Sequence, residues 1–545
     1  MSPPESSATS QTVQVRHAPG KGRALTTTTT LRPGTTILAT TTPLLLLPSV
    51  ANLSSICTHC LRSGSSPPRA CTRCHSAYYC GPTCQRAHWR AVHSVECKPL
   101  SRLRAAGRGP LPTLVRLLVQ ALLKESIAQE LADLEGNVEA IRSEAGGTRW
   151  ADIEVMALGA CACAGVGTGE EQVRRACELM CKIQTNAFNW SEDNPDQTAV
   201  FVEPTLAMIN HSCVPSAEVQ VAGRNIVLRA SMAIQAGEEI EITYIDYTLP
   251  RPKRNEALAP YNFQCQCPRC RGNLNIYQAS ALYPHLDLNC FSLAPEVSQV
   301  HQHPAVVDTQ KAAAANTQAG KVLADIESSA TPDTESSQHA SLCHRYQRCK
   351  NFAESDFWAM APLPHLVADA SSYYAAEENW SFALTTACLM ATACDSYRYP
   401  PPFHSVRVQD LFRIAKLLSN TAADTSSLSQ PPSSVVSKSD LNTRVQDTLK
   451  DIDQVSLCQM LLMMALRLIP EEFVKEWDLA VDAQDMLKDI GQLPGRDKAL
   501  TLINAWATNP EADQSRKFFQ YAVVDPVHTL ASLGKEALEH EFRGA

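Results

Sequence analysis

The pattern of apolar and polar residues predicts β-strands near the start of the chain and again in its middle. Residues 217–221 and 226–228 flank Gly223-Arg224-Asn225, which is the form of a β-hairpin. Residues 239–244 alternate strictly, with Ile240, Ile242 and Tyr244 on one face. The other predicted strands are the alternating residues 13–16 and the segments 24–30 and 35–39, of which 24–30 is rich in β-branched residues.

Helical periodicity dominates elsewhere. Between 111 and 134 apolar residues recur at steps of three and four, and 171–184 also has the pattern of a helix. Beyond about residue 275 the pattern predicts helices only, in antiparallel pairs that loosely resemble tetratricopeptide (TPR) repeats. Three segments have the composition of disordered or flexible chain: the Ser/Thr/Pro-rich tail 1–12 and insertions near 295–342 and 420–438.

Length and composition narrow the class of protein. A chain of 545 residues is too long for one core, and 44% hydrophobic residues exclude wholesale disorder. No apolar run approaches the roughly 18 residues of a membrane span, and no charged segment followed by an apolar one resembles a secretion signal. We therefore expect a protein that is not secreted and does not enter the membrane. We further expect it to be a monomer of the cytoplasm and nucleus.

Cysteines are concentrated between residues 57 and 97. Four ligand pairs follow one another there, which suffices for two tetrahedral zinc ions, and a segment this short needs metal to fold. The candidate ligands are Cys57, Cys60, Cys71, Cys74, Cys80, Cys84, His93 and Cys97.

The same segment is basic. Residues 51–110 contain nine Lys and Arg residues and one acidic residue, and seven thiolates with two Zn²⁺ leave a charge of about +5. Such a surface binds a peptide or nucleic-acid phosphates in some proteins and is only a solvated basic face in others, and the sequence favours neither.

The cysteine segment resembles the MYND zinc finger. The matching text is Cys57-Thr-His-Cys60, Cys71-Thr-Arg-Cys74, Cys80-Gly-Pro-Thr-Cys84 and His93-Ser-Val-Glu-Cys97. The resemblance implies interleaved sites, with Cys57, Cys60, Cys80 and Cys84 on one ion and the other four ligands on the second. The spacing after Trp89 leaves His88 as an alternative to His93, and the separation from Cys97 favours His93. A proline-rich peptide is one possible partner of such a finger.

A second set of motifs surrounds the finger. Gly20-x-Gly22 precedes it, and Asn210-His211-Ser212-Cys213-x-Pro215, Gly237-Glu-Glu-Ile-x-Ile-x-Tyr244 and Cys265-x-Cys267-x2-Cys270 follow in that order. Together they resemble the SET domain of protein-lysine methyltransferases, and a MYND finger within that domain is the arrangement of the SET-and-MYND (SMYD) family.

The resemblance implies an α+β protein whose SET fold is split by the finger. The implied divisions are a tail (1–12), the first part of SET (13–50), the finger (51–98), a helical insert (99–200), the SET core (201–250), a post-SET segment (251–275) and a helical TPR-like domain (276–545).

The resemblance also implies S-adenosylmethionine as methyl donor and a third zinc ion. The implied cofactor contacts are Gly20, Lys21, Gly22, Asn186, Asn210, His211 and Phe263, and the implied third zinc site is Cys213, Cys265, Cys267 and Cys270.

The implied substrate is a lysine of a histone or another protein. Lysine has a pKa of about 10.4, so a narrow aromatic channel beside a sulfonium is needed to favour the neutral amine. Tyr244 is the candidate for orienting that amine, Tyr261 the candidate for the opposite wall, and no general base is required. Ser216 stands where the family has Asn, so the alternative function is a catalytically weak MYND and TPR-like adaptor that recruits partners, or a transcriptional regulator.

Overall fold

The computed structural model describes residues 12–18, 20, 22–64, 66–144, 146–190, 199–283, 291–328, 338–426 and 440–543. The predicted disordered tail lies outside this part of the chain except for Thr12.

Strands from distant parts of the sequence pair with one another. The hairpin β10–β11 forms as predicted, and β3 pairs with β11 across almost 200 residues. The sheets share a core that includes Leu25, Phe201 and Ile240. The strands, with their partners, are β1 (Val13–Ala18) with β2 (Gly22–Thr27); β3 (Thr36–Thr40) with β10 (Ala217–Ala222) and β11 (Asn225–Ala230); β4 (Leu45–Pro48) and β7 (Phe188–Trp190) on either side of β8 (Ala199–Val202); β5 (Arg69–Ala70) with β6 (Tyr78–Tyr79); and β9 (Asn210–His211) with β12 (Glu241–Ile242).

The chain between β4 and β7 leaves this β-region and forms the cysteine-rich finger and a helical unit. The finger consists of the ribbon β5–β6, two helices and a π-helical turn, Trp89–His93. The predicted helix 111–134 is divided in two because Lys124 is extended. The helices are α1 (Pro82–His88), α2 (Ser94–Ala105), α3 (Thr113–Leu123), α4 (Glu125–Ala132), α5 (Val138–Arg142), α6 (Thr148–Ala164) and α7 (Glu170–Asn186).

After β12 the described residues contain helices and no strand, as the sequence predicts. The large core of this region is formed by close helix packing, chiefly α15 and α24 against α16, and α18 against α20. The helices are α8 (Arg251–Leu258), α9 (Pro268–Arg271), α10 (Ile276–Ser280), α11 (Val297–Gln302), α12 (Pro304–Val307), α13 (Thr309–Ser328), α14 (Gln338–Glu354), α15 (Leu363–Ala376), α16 (Trp380–Leu389), α17 (Asp395–Arg398), α18 (Ser405–Ser426), α19 (Asp440–Asp451), α20 (Gln454–Leu468), α21 (Asp478–Gly491), α22 (Asp497–Thr508), α23 (Asp513–Phe519) and α24 (Asp525–Phe542).

Both predicted flexible insertions are described in part. The segment 295–342 is mostly helical where it is described, because its alanines favour a helix and Ala312, Ala315 and Ala319 are buried. The second predicted insertion begins inside α18, and its remainder, 427–438, lies outside the described residues.

The predicted strand 239–244 is a strand only at β12. The backbone of Ile240 bonds to Leu25, and that of Tyr244 bonds to the His211 side chain, so neighbouring residues have different partners instead of one ladder. The apolar face predicted for this segment is nevertheless present, since Ile240 and Ile242 are buried.

None of the helices in the described part of the chain combines the length and the apolar character that a membrane span requires.

Candidate functional site

The finger brings its cysteines together in two groups. The first group is Cys57, Cys60, Cys80 and Cys84, whose sulfur atoms all lie within 4.8 Å of one another. The Sγ–Sγ distances are 3.8 Å for Cys60–Cys80 and 3.4 Å for Cys80–Cys84. A tetrahedral zinc with bonds of about 2.3 Å to sulfur has edges of about 3.8 Å, so the group fits this ion.

The second group contains His93. Its Nε2 lies 3.4 Å from the sulfur of Cys71 and 3.6 Å from that of Cys74, and Cys97 completes the set. His88 instead shares a 2.9 Å hydrogen bond with the Tyr79 hydroxyl through Nδ1, and its ring stacks on His93. The geometry therefore favours His93 over His88 beside these three thiols.

A buried carboxylate that sequence reasoning missed orients His93. Glu96 accepts from His93 Nδ1 at 2.8 Å, and Arg116 and Gln120 also donate to Glu96. Burial opposes the charge, but Arg116 and these bonds hold the pKa of Glu96 well below its usual value. A carboxylate on the far nitrogen of a ligating histidine fixes the ring for metal binding. The signal was present, since Glu96 lies between two predicted ligands.

The third group joins segments 52 residues apart in sequence. Cys213 meets Cys265, Cys267 and Cys270, all four sulfur atoms lie within 4.8 Å, and Cys213–Cys270 measures 3.6 Å. Buried Arg254 donates to the sulfur of Cys270 at 3.7 Å. A metal here would tie the segment after β12 to the one after β9.

The parallel pair β9–β12 places His211 beside Tyr244. The Tyr244 backbone N–H donates to His211 Nδ1 at 3.1 Å, so Nε2 carries the ring proton and faces the sulfur of Cys213 at 3.3 Å. Burial lowers the pKa of His211 to about 4, which keeps the ring neutral. His211 therefore connects Tyr244 to the third cysteine group.

Aromatic rings surround the Tyr244 side chain. Tyr261 lies 5.0 Å away between ring centroids, and Phe263 stands edge-on at 6.3 Å. The Tyr244 hydroxyl donates to the carbonyl of Ile209 at 2.6 Å. Burial raises the pKa of Tyr244 well above its usual value, so the hydroxyl keeps its proton. Phe263 is 39% exposed, which leaves ring surface available to a ligand.

Glycines begin β2 close to this cluster. Gly20 and Gly22 both have φ of +76°, a left-handed conformation that favours glycine, and apart from their chain neighbours no atom of the described residues would come within 4 Å of an added Cβ. The space above this turn is open enough for a ligand to approach the backbone. Lys21, predicted to contact a cofactor, lies outside the described residues.

Two asparagines predicted to bind a cofactor use their amide groups inside the protein. Asn210 Nδ2 donates to Arg23 O at 3.0 Å and to Glu239 at 2.7 Å. Asn186 Nδ2 donates to Glu135 O and Lys182 O, both at 2.7 Å. Asn210 thus ties β9 to the glycine turn, whereas the bonds of Asn186 hold the end of α7 instead of the aromatic cluster.

Ser216 also has a defined contact. Its hydroxyl accepts from the backbone N–H of Glu241 at 2.9 Å, and its carbonyl accepts from Ser231. The serine therefore fixes the start of β12, three residues before Tyr244.

Comparison with known proteins assigns the finger and points to a class of enzyme. The family model of the MYND finger matches residues 57–97. Over about half its length the chain is also similar to lysine methyltransferases of the SMYD family and their relatives.

Three relatives illustrate the similarity. The chain is 29% identical over 260 residues to the SET domain and MYND-type zinc finger protein 6 of Schizosaccharomyces pombe, covering 47% of this chain and 51% of that protein. It is 30% identical over 267 residues to histone-lysine N-methyltransferase ASHR1 of Arabidopsis thaliana, covering 47% and 54%. It is 28% identical over 270 residues to human histone-lysine N-methyltransferase SMYD3, covering 46% and 59%. The match thus spans about half the length of these curated relatives.

Proposed function

We propose that this protein is an S-adenosylmethionine-dependent protein-lysine N-methyltransferase that acts on a histone or another protein. The observation that carries the proposal is the Tyr244 hydroxyl, fixed on the Ile209 carbonyl and surrounded by Tyr261, Phe263 and His211. The names of the similar proteins support the same chemistry.

The proposed domains follow from the strand pairings. The SET fold would comprise 13–50 and 201–250, interrupted by the MYND finger (51–98) and the helical insert (99–200). A post-SET segment (251–275) and a TPR-like helical domain (276–545) would follow. Pairing of β3 with β11 and of β4 with β8 supports one fold made from separated segments.

The open turn at Gly20 and Gly22, the exposed face of Phe263 and the His211 backbone fit a nucleoside cofactor. When bound, S-adenosylmethionine would supply an electrophilic methyl group on a sulfonium. Asn210 would brace this pocket, since both of its amide hydrogens are already engaged. Both amide hydrogens of Asn186 are engaged as well, so its proposed contact to the cofactor would be made by its side-chain oxygen, and Lys21 is kept as a proposed contact.

Tyr244 would orient the substrate amine. Its hydroxyl hydrogen is used by the Ile209 carbonyl, so its oxygen can only accept a hydrogen bond from the amine N–H. That contact and the rings of Tyr261 and Phe263 would hold the lysine in line and keep water away. The amine would lose its proton to water before the transfer.

Three zinc ions would hold the finger and the post-SET segment. The four-ligand groups match tetrahedral zinc in donor type and spacing. Thiolate sites of this kind persist in reducing compartments, in agreement with the proposed location in the cytoplasm and nucleus. Basic residues of the finger would offer a further contact to a peptide or nucleic acid.

Identification of the product tests the proposal. Purified protein is incubated with deuterated-methyl S-adenosylmethionine and a cell extract, and the labelled residues are identified by mass spectrometry. We expect label on lysine Nζ. Label on arginine alone, or no labelled protein, would contradict the proposal and favour the adaptor alternative.

A further inference from the structure

A cleft outside the aromatic site lies between α8, the loop at Asn273 and α13. Its volume is about 630 Å³, large enough for several peptide residues. Its lining is Arg251, Pro252, Asn255, Asn273, Asn316, Thr317, Gly320, Lys321 and Ala324.

The charges of this cleft have one sign. Arg251 and Lys321 are exposed on opposite walls, and among the described lining residues neither Asp nor Glu occurs. The acidic side chains that are described on the two helices pair elsewhere: Glu256 with Lys253 at 3.1 Å and Asp325 with Arg348 at 3.0 Å. The cations are therefore left to attract an external anion.

Polar groups in the cleft suit an extended chain. Asn255, Asn273 and Asn316 each present a side-chain amide, a group that can both donate to and accept from a peptide backbone. The Asn316 amide donates to Asn273 O at 3.0 Å, which joins the two walls at one end.

Gly320 keeps the floor of the cleft open. It lies in the middle of α13, where a helix gains nothing from glycine. A Cβ there would meet Pro252 at 3.8 Å and Pro250 at 3.9 Å, which are ordinary contacts. Neither backbone conformation nor close packing explains this glycine, and its absent side chain widens the cleft.

The cleft is next to the proposed active site. Asn255 precedes Tyr261 by six residues in a helix and a 3₁₀ turn, which corresponds to about 10 Å. An extended peptide advances about 3.3 Å per residue. A peptide with lysine at Tyr244 would therefore reach the cleft about three to six residues away.

We propose that this cleft binds an acidic segment of the substrate, three to six residues from the target lysine. The proposal rests on the proposed function for the identity of the peptide as a substrate. Carboxylates of the segment would pair with Arg251 and Lys321, and the asparagines would bond its backbone.

Binding of labelled peptides tests the proposal without requiring turnover. Two fluorescent peptides carry a central lysine, with Glu at three to six positions on either side in one and Gln in the other. Anisotropy is measured with the full zinc-loaded chain and S-adenosylhomocysteine. We expect the Glu peptide to bind at least about fivefold tighter, with an advantage that weakens at high salt.

Variants of the lining residues test whether the preference for the Glu peptide arises in this cleft. The double variant Arg251→Gln/Lys321→Gln should lose the preference for Glu, and Gly320→Gln should weaken binding by filling the cleft. Lys498→Gln, which removes an exposed cation of α22, should leave the preference for Glu unchanged. An unchanged preference in the double variant would overturn the proposal. So would equal binding of the two peptides, or displacement by a single-stranded oligonucleotide at equal concentration.

The outcomes separate the two claims. If the Glu peptide binds more tightly but no protein is methylated, the acidic-peptide cleft is supported and the proposed function is wrong. If proteins are methylated but the Glu and Gln peptides bind equally, the proposed function holds and the proposed acidic-peptide cleft is wrong.

Discussion

Ser216 shows how one side chain can support the proposed active site from a distance. Its hydroxyl accepts the Glu241 N–H, and β12 then leads directly to Tyr244. The family resemblance raised the question whether Ser in place of Asn weakens this turn. The contact shows that Ser216 supplies a hydrogen-bond acceptor there.

Removal of the hydroxyl should therefore loosen this turn. Ser216→Ala should lower the free energy of unfolding by about 1–2 kcal/mol, because a sheltered N–H loses its partner. Methyl transfer should fall at the same time, while Ser216→Asn, which restores an acceptor, should retain both. Urea unfolding and transfer rates measure this. Full stability of Ser216→Ala would show that water replaces the hydroxyl.

At the scale of elements, helix α24 approaches α16 closely at Gly534. A Cβ at this position would lie 2.4 Å from the backbone oxygen of Thr385. Gly534→Ala should force the helices apart and destabilise the helical region by about 2–3 kcal/mol.

Gly159 in α6 provides the matched control, since among the described residues no atom from outside its own turn of helix comes within 4 Å of its Cβ position. Gly159→Ala should raise stability by up to about 1 kcal/mol, because alanine favours a helix. Thermal unfolding of both variants measures the contrast. Equal effects would mean that the crossing of α16 and α24 is looser than described.

The contact between β10 and the start of α18 should respond to pH. Glu218 lies 3.3 Å from His404, accepts from Ser405 and Gln220, and lies near Arg229. Burial raises the pKa of Glu218 to about 7, and burial lowers the pKa of His404 to about 3. Both side chains are therefore neutral at pH 5.

The sign of the effect follows from proton binding. Between the ordinary carboxyl pKa and about 7 the folded protein keeps a proton on Glu218 that the unfolded chain has released. Glu218 alone should therefore lower the free energy of unfolding by about 1–3 kcal/mol as pH rises from 5 to 8, whereas His404 should raise it over the part of this range where the unfolded histidine loses its proton. Glu218→Gln should remove this part of the decline. Unfolding curves at several pH values measure it, and identical slopes for both proteins would contradict it.

At the scale of the whole molecule, the ligand groups predict three zinc ions per chain. Cys267→Ser should remove only the third ion, since the finger groups share no residue with it. Metal analysis of purified protein measures the ratio. One zinc or fewer per chain in the wild type would contradict the proposed sites.

Much of this arrangement could be predicted from sequence because the signals were local. Ligand spacing located the finger, and alternation placed Ile240 and Ile242 on a buried face. Contacts made by folding could not be predicted: the length of β12 depends on bonds to Leu25 and His211, and Glu96 meets Arg116 across 20 residues. The alanine-rich segment that forms α13 was misinterpreted because its composition suits both a helix and a flexible chain.

The rate of methyl transfer by Tyr244→Phe tests the central claim most directly. The variant loses the oxygen that would orient the amine but keeps the ring, the zinc groups and the glycine turn. Initial rates on a protein labelled by the wild type should fall about 10²- to 10³-fold. Zinc content and S-adenosylhomocysteine binding should not change. A rate near that of the wild type would show that the methyl group is transferred somewhere other than at Tyr244.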